Sequence, residues 1–222
     1  YGLFHTQLLY YQVTVYTGLA GDTTNHNDTL GPFFISHENP YTGWPYIATH
    51  DNTPWVAGNN TAANPGTYDS TLFLPFLPAT SGQFSWLVST QLTPTSNTGP
   101  RRDRSYNGNY IYTEGDLGGN SAILLSRCMD LTGMTHPSLD YFYHMYGAGI
   151  NNLFVQIKKP GEKTWSTVPG SNVVGAQQTS EKDDWGFKHN DLTLYANQII
   201  QLRIIGAKTG AGTTGDIAID DL

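Results

Sequence analysis

The amino-acid sequence predicts an all-β protein: a two-sheet antiparallel β-sandwich of the jelly-roll type, with an additional β- and loop-rich N-terminal region. Three observations predict it. The 222 residues include 14 Tyr, 9 Phe and 5 Trp, which suit pleated sheets, and 24 Gly and 12 Pro, which punctuate turns. Short apolar runs bounded by turn residues recur along the last two thirds of the chain. Within residues 152–158, Leu153, Val155 and Ile157 face one way and Phe154, Gln156 and Lys158 the other, the period of a half-buried antiparallel strand.

Taken in order, residues 1–20 read as one or two strands, with Tyr11, Val13 and Val15 alternating with Gln12, Thr14 and Tyr16. Residues 21–70 are dense in turn sequences and leave room only for short strands at 32–36 and 46–49. Composition changes near residue 70. That change divides the chain into a Thr-, Asn-, Gly- and aromatic-rich region at 1–70, expected to serve assembly or packing, and a sandwich domain at 71–222. Residues 71–77 (TLFLPFL) contain a proline, which confines them to an edge or opening strand. Strands follow at 83–90, 109–113, 121–125, 139–146 and 152–158. A Lys159-Pro160-Gly161-Glu162 turn leads into 164–168, a hairpin signal. Further strands are expected at 191–194, 198–205 and 216–222.

The formal net charge is −7, which argues against nucleic acid as a partner. All 11 basic residues lie at Arg101 or later, and residues 1–100 are otherwise mostly Thr, Asn, Gly, Pro and aromatics, a composition that suits an extracellular or cell-surface protein. No run approaches the ~18 apolar residues of a membrane helix, so no membrane insertion is expected. The chain opens on Tyr1, as a processed product would. A single Cys128 excludes an internal disulfide and a cysteine-based zinc site, and its apolar neighbours predict a buried, structural thiol.

Catalytic constellations are weak. His136, His144 and His189 lie near Asp140, Asp183 and Asp184 in sequence, but no G-x-S-x-G or H-E-x-x-H accompanies them, and Ser138 sits in a Pro-Ser-Leu turn. His144, inside an aromatic strand, reads as a structural histidine. Glu114 and Asp116 flank Gly115, and a glycosidase pair would need them across a cleft. Trp44, Tyr46 and Trp55, in polar loops, are candidates for stacking on a carbohydrate or for anchoring those loops. The closing stretch GTTGDIAIDDL carries Asp216, Asp220 and Asp221. Extended geometry puts Asp221 on the face of Ile217 and Ile219, where a buried carboxylate needs a cationic side chain or a hard metal ion unless the core ends at Ile219.

Several stretches together resemble the MAM family, the extracellular domain of meprins, neuropilin-type receptors and receptor tyrosine phosphatases. They are Asn97-Thr98-Gly99-Pro100 followed by Asp103, then 108–114 (GNYIYTE), 122–126, 139–147 (LDYFYHMYG), Leu153-Phe154-Val155, Trp165, Trp185 and the closing 215–222 (GDIAIDDL), covering about residue 71 to the end. The resemblance implies a jelly roll, an extracellular setting and adhesion or assembly rather than catalysis. The chain is also similar to bacterial cleaved-adhesin and sugar-binding jelly rolls, some of which hold a structural calcium ion. That similarity implies Asp103, Asp216 and Asp221 as a calcium site. Two departures stand out: Ser138 replaces a family cysteine, and TLFLPFL lacks the acidic residue that often follows its Phe. The family's last strand usually runs on past the DIAIDD motif, so a longer product is expected.

The expected function is a non-enzymatic extracellular adhesion or assembly module, a subunit of a self-assembling surface structure or filament. YYQVTVYT has no charged residue to block edge pairing, so self-association through N-terminal strand edges is the expected partnership. A carbohydrate-binding module of a larger secreted protein, with glycans as partners, is the alternative.

Overall fold

A computed structural model describes residues 9–16, 29–37, 40–51, 73–76, 84–210 and 212–222; 9–16, 29–37 and 73–76 are described by their backbone pairing. Trp55 lies outside the described residues. The chain divides into two compact units, Tyr1–Asn39 and Pro40–Leu222.

The first unit contains a two-stranded antiparallel sheet, β1 (Leu9–Tyr16) against β2 (Thr29–His37). Its register runs from Leu9 opposite His37 to Tyr16 opposite Thr29, with a bulge between Val13 and Val15.

The second unit is the predicted sandwich, with eleven strands in two antiparallel sheets among the described residues. Its strands are β3 (Phe73–Phe76), β4 (Trp86–Ser89), β5 (Tyr110–Thr113), β6 (Ser121–Asp130), β7 (Ser138–Met145), β8 (Ile150–Lys158), β9 (Ser166–Thr167), β10 (Val173–Val174), β11 (Gly186–Asp191), β12 (Ile199–Lys208) and β13 (Ile217–Asp220). One sheet runs β10-β8-β12-β6-β3, with the short β9 also on β8; the other runs β11-β7-β13-β5-β4. The proline-bearing β3 is an edge strand, where Pro75 interrupts no second ladder.

The alternation read in 152–158 is the observed one: Leu153, Val155 and Ile157 are buried and their neighbours half-exposed. Ile204 of β12 stands between Val155 of β8 and Leu124 of β6. These side chains face Trp86, Ile111, Tyr141, Met145, Ile217 and Ile219 of the second sheet, forming one continuous core. Burying each such side chain contributes about 1.5–3 kcal/mol before the opposing conformational entropy.

Several elements depart from expectation. No strand forms at 46–49; instead Ala48 and Leu222 exchange two backbone hydrogen bonds, 2.6 and 3.0 Å, tying the loop to the chain end. The strand expected at 191–194 lies earlier, at Gly186–Asp191, and Thr193–Tyr195 forms a single 3₁₀ turn. Polar residues on both faces of this edge strand hide its period. Cys128 is half-buried on β6 rather than fully buried. β4, β5 and β13 are buried on both faces, because Leu87, Tyr110, Tyr112 and Ala218 form a second cluster under Leu117 and Trp185.

Candidate functional site

Among the described residues, the buried carboxylates gather at the two ends of β13, a central strand. Asp216 precedes it and Asp220 closes it, roughly 13 Å apart at the usual rise per residue.

At the Asp216 end, Gly115 N–H donates to Asp216 Oδ1 at 2.6 Å, and Thr98 Oγ1 accepts from Asp216 N–H at 2.9 Å. A Cβ on Gly115 would run into the backbone of Thr213 and Gly215, so only glycine lets the two loops approach this closely. Glu114 is buried beside it. Thr95 Oγ1 bonds Glu114 Oε1 (3.2 Å) and Asp116 Oδ2 (2.9 Å). Asp216 Oδ2 and Glu114 Oε2 are buried without a hydrogen-bond partner. Burial, and then the Glu114 carboxylate, push the Asp216 carboxyl up to about 8; burial also raises Glu114. The pair therefore holds a proton at neutral pH. Lys208 Nζ donates to the carbonyls of Leu117 (2.7 Å) and Gly115, stapling the same loop.

At the other end, His50 Nδ1 meets Asp220 Oδ1 at 3.0 Å, both buried. Asp220 also accepts from Arg104 N–H (3.1 Å) and Asp221 N–H (2.8 Å). Burial raises the Asp220 carboxyl, and the His50 contact works against that rise. Asp103, 2% exposed, accepts from Ser105 N–H at 2.8 Å and from Ser105 Oγ through Oδ2, while its Oδ1 is buried without a hydrogen-bond partner. The Asp51 and Asp103 carboxylates both abut Gly108, where any Cβ would collide with Asp51.

Backbone strain collects here too. Of the five non-glycine residues with positive φ among the described residues, four are Asn, Asp or His, which adopt it more readily; Tyr106 (78°) is the outlier, and it lies at this end with His50 (60°) and Asp221 (48°).

Of the three residues expected to form one cation site, Asp103 and Asp221 lie at this end and Asp216 at the other. Asp221 does not extend the strand onto the face of Ile217 and Ile219. Its left-handed backbone turns the side chain out to Arg104, in an ion pair. Asp220 is the buried acid instead. Among the described residues, no three His, Cys, Asp or Glu side chains converge to hold a metal ion. Asp103 and Asp51, two carboxylates that both abut Gly108, would need backbone carbonyls to complete a hard-ion donor set. Trp44 Nε1 donates to the Asp130 carbonyl at 2.9 Å, and the rings of Trp44 and Tyr46 stand edge-on to Tyr41 at 5.2 and 5.9 Å. They fasten the 40–48 loop over one end of the sandwich.

His144 is fully buried against Trp185, and burial lowers it to about 4, so it stays neutral. His189 Nδ1 pairs with Asp140 at 2.8 Å on exposed surface, with no hydroxyl or thiol bonded to its ring among the described residues. Sequence reasoning missed His50, Asp51 and Gly108, which bear on the carboxylates only through long-range contacts. The positive φ of Tyr106 had no signal in a non-glycine residue.

The two antiparallel sheets, of six and five strands among the described residues, with a central strand covered on both faces, define a β-sandwich module of the jelly-roll type. The chain belongs to the MAM family: the model for "MAM domain, meprin/A5/mu" matches residues 43–222, starting well before residue 71. Among curated relatives, it is 29% identical over 144 residues to Neuropilin-1 of Xenopus laevis (64% of this chain, 14% of the relative). It is 32% identical over 155 residues to MAM domain-containing glycosylphosphatidylinositol anchor protein 2 of Homo sapiens (63% and 15%). The chain thus matches about one seventh of the length of either relative. MAM domains occur in extracellular and cell-surface proteins and are typically non-catalytic. Among solved structures, the K1 cleaved adhesin domain of Lys-gingipain from Porphyromonas gingivalis W83 superposes with TM-score 0.46 at 10% identity (79% of this chain, 94% of that one). TmCBM61 in complex with β-1,4-galactotriose gives 0.34 at 16% (63% and 88%).

Proposed function

We propose that this chain is a non-enzymatic adhesion and assembly module of an extracellular or cell-surface protein, whose copies associate through the edges of the β1–β2 hairpin. The observation that carries the reading is the hairpin itself. Two strands alone are marginal in water, and neither LYYQVTVY nor TLGPFFISH holds a Lys, Arg, Asp or Glu to guard an edge. Adding a strand from a second copy satisfies the edge backbone groups. Light scattering after size-exclusion chromatography is expected to show oligomers that grow with concentration. A strict monomer at high concentration would overturn the reading.

A structural calcium ion at Asp103, with Asp51 as second carboxylate, is the accompanying proposal. Its support is the buried, unpartnered Oδ1 of Asp103 beside a second carboxylate at Gly108. A ligand bound only to the folded state adds about 2.7 kcal/mol at a hundredfold excess over Kd. Melting in calcium against chelator is expected to shift for the native chain and not for Asp103→Asn. Identical curves for the native chain would remove the ion. The packing of Trp44 and Tyr46 supports an anchoring role for them over carbohydrate stacking.

A further inference from the structure

We propose that the cleft bordered by the Arg101–Tyr106 loop binds a carboxylate-bearing sugar ring of an acidic oligosaccharide; this is independent of the assembly reading. The cleft is about 400 Å³, within the usual range of small-ligand sites, and lies wholly in the second unit. Four of the chain's 11 basic residues line it: Arg101, Arg102, Arg104 and Lys182. Four carboxylates line it too, Asp103, Glu181, Asp183 and Asp184, so the cleft is formally neutral in a chain of net charge −7.

Three of those cations have no ion-pair partner among the described residues, and Arg102 is engaged only with the ring of Tyr106. Arg104 pairs with Asp221, whereas Arg101, Arg102 and Lys182 are exposed and have no carboxylate partner among the described residues. This is so although Glu181, Asp183 and Asp184 line the same cleft. Asp183 is occupied by the backbone N–H groups of Thr179 and Ser180, and by their hydroxyls. The Arg101 backbone N–H donates to the Glu181 carbonyl at 2.8 Å, and among the described residues no acceptor is bonded to its guanidinium.

An aromatic platform completes the site. Tyr106 is 56% exposed with φ of 78°, and the Arg102 guanidinium lies 3.8 Å from its ring centroid. Arg102 covers one face of the ring, which leaves the opposite face for a ligand, and a bulky residue held at positive φ is strain of the kind found at binding sites. Phe142 and Trp185 form the apolar wall.

The chemistry of the lining selects the ligand. Guanidinium groups match a single carboxylate through two parallel hydrogen bonds. Glu181 and Asp184 accept hydroxyl hydrogens and repel densely charged phosphate or sulfate. A ring face stacks on Tyr106. A uronic acid offers one carboxylate, several hydroxyls and an apolar ring face.

Isothermal titration calorimetry of the full chain with α-1,4-linked trigalacturonate tests this, alongside neutral galactotriose, inorganic phosphate and a deca-glutamate peptide. Saturable binding of the uronate is expected, at least about tenfold tighter than the neutral sugar, and weakened about tenfold or more by Arg102→Gln or Tyr106→Gly. Both substitutions are at exposed positions: the Arg102→Gln melting curve should overlay the native one, and Tyr106→Gly, which relieves the positive-φ strain, should melt no lower. Failure of trigalacturonate to bind, equal binding of galactotriose, or undiminished binding in a folded Arg102→Gln variant would each overturn the proposal. Tighter binding of deca-glutamate or phosphate would overturn it in favour of an acidic peptide or a simple anion.

Discussion

His50 and Asp220, 170 residues apart in sequence, meet at 3.0 Å with both side chains buried. The contact ties the loop that opens the MAM domain to the last residue of β13, and the Ala48–Leu222 backbone pair locks the same two segments two residues further on. These two segments are thus fastened at one place, beside Arg104 of the Arg101–Tyr106 loop.

His50→Ala leaves the Asp220 carboxylate buried with only two backbone donors, Arg104 and Asp221. Losing a buried charged hydrogen bond costs about 1.5–3 kcal/mol. Urea unfolding of His50→Ala should give that decrease with an unchanged m-value. His50→Ala with Asp220→Asn should recover part of it, because the uncompensated charge is gone. If the double variant is less stable by the full sum of the two single losses, the pair is not coupled.

Gly108→Ala places a Cβ against the Asp51 carboxylate, 3.1 Å from Asp103 Oδ2. Asp51 is exposed and its carboxylate can swing aside, so the cost stays below the roughly 1–3 kcal/mol of core overpacking. Removing the obstacle should relieve it, so Gly108→Ala in an Asp51→Ala background is expected to cost less than in the native chain. Thermal melts of the four proteins in one buffer measure the difference.

Much of this architecture was legible because a half-buried strand writes its exposed face in polar residues. β8 shows Leu153, Val155 and Ile157 that way. β13 does not: with Ala218 and Asp220 also buried, its alternation carries no contrast, and simple period-2 extension put Asp221 on the wrong side. The left-handed turn at Asp221 ends the strand one residue before the sequence loses its strand-like pattern. The acids at 103, 216 and 221 were legible as residues but not as a set, because strand length separates Asp216 from the other two. His50 was not legible, since no local pattern announces a partner 170 residues away.

Charges placed on β1 should separate the proposed assembly from folding. Gln12→Lys with Thr14→Lys puts like charges where a second copy's strand would pair, the device natural edge strands use against association. The variant is expected to elute as a monomer at concentrations where the native chain is oligomeric, with the melting transition of the Pro40–Leu222 unit unchanged. An unaltered oligomer distribution would mean that the hairpin edge is not the contact.

The Asp216–Glu114 pair should set the pH dependence of stability on the alkaline side of neutrality. Burial raises the Asp216 carboxyl to about 8 in the folded chain, from an ordinary carboxylate value when unfolded. Between those values the folded state holds a proton that the unfolded state has released. Stability therefore falls as pH rises through that window and levels off above about 8. His144 acts in the opposite sense: burial lowers it to about 4, so the unfolded state takes up a proton first as pH drops, and stability rises with pH from about 4 to the ordinary histidine range. The two slopes oppose each other below about 6.5, the unperturbed histidine value, and only the Asp216 slope remains between there and about 8. Denaturant midpoints of the native chain should decline across that upper interval. In Asp216→Asn, an amide keeps the hydrogen-bond acceptor for Gly115 N–H and has no proton to lose, so the decline should flatten. A native profile that is flat from pH 6.5 to 8 would show that the buried pair is fully ionised in the folded protein.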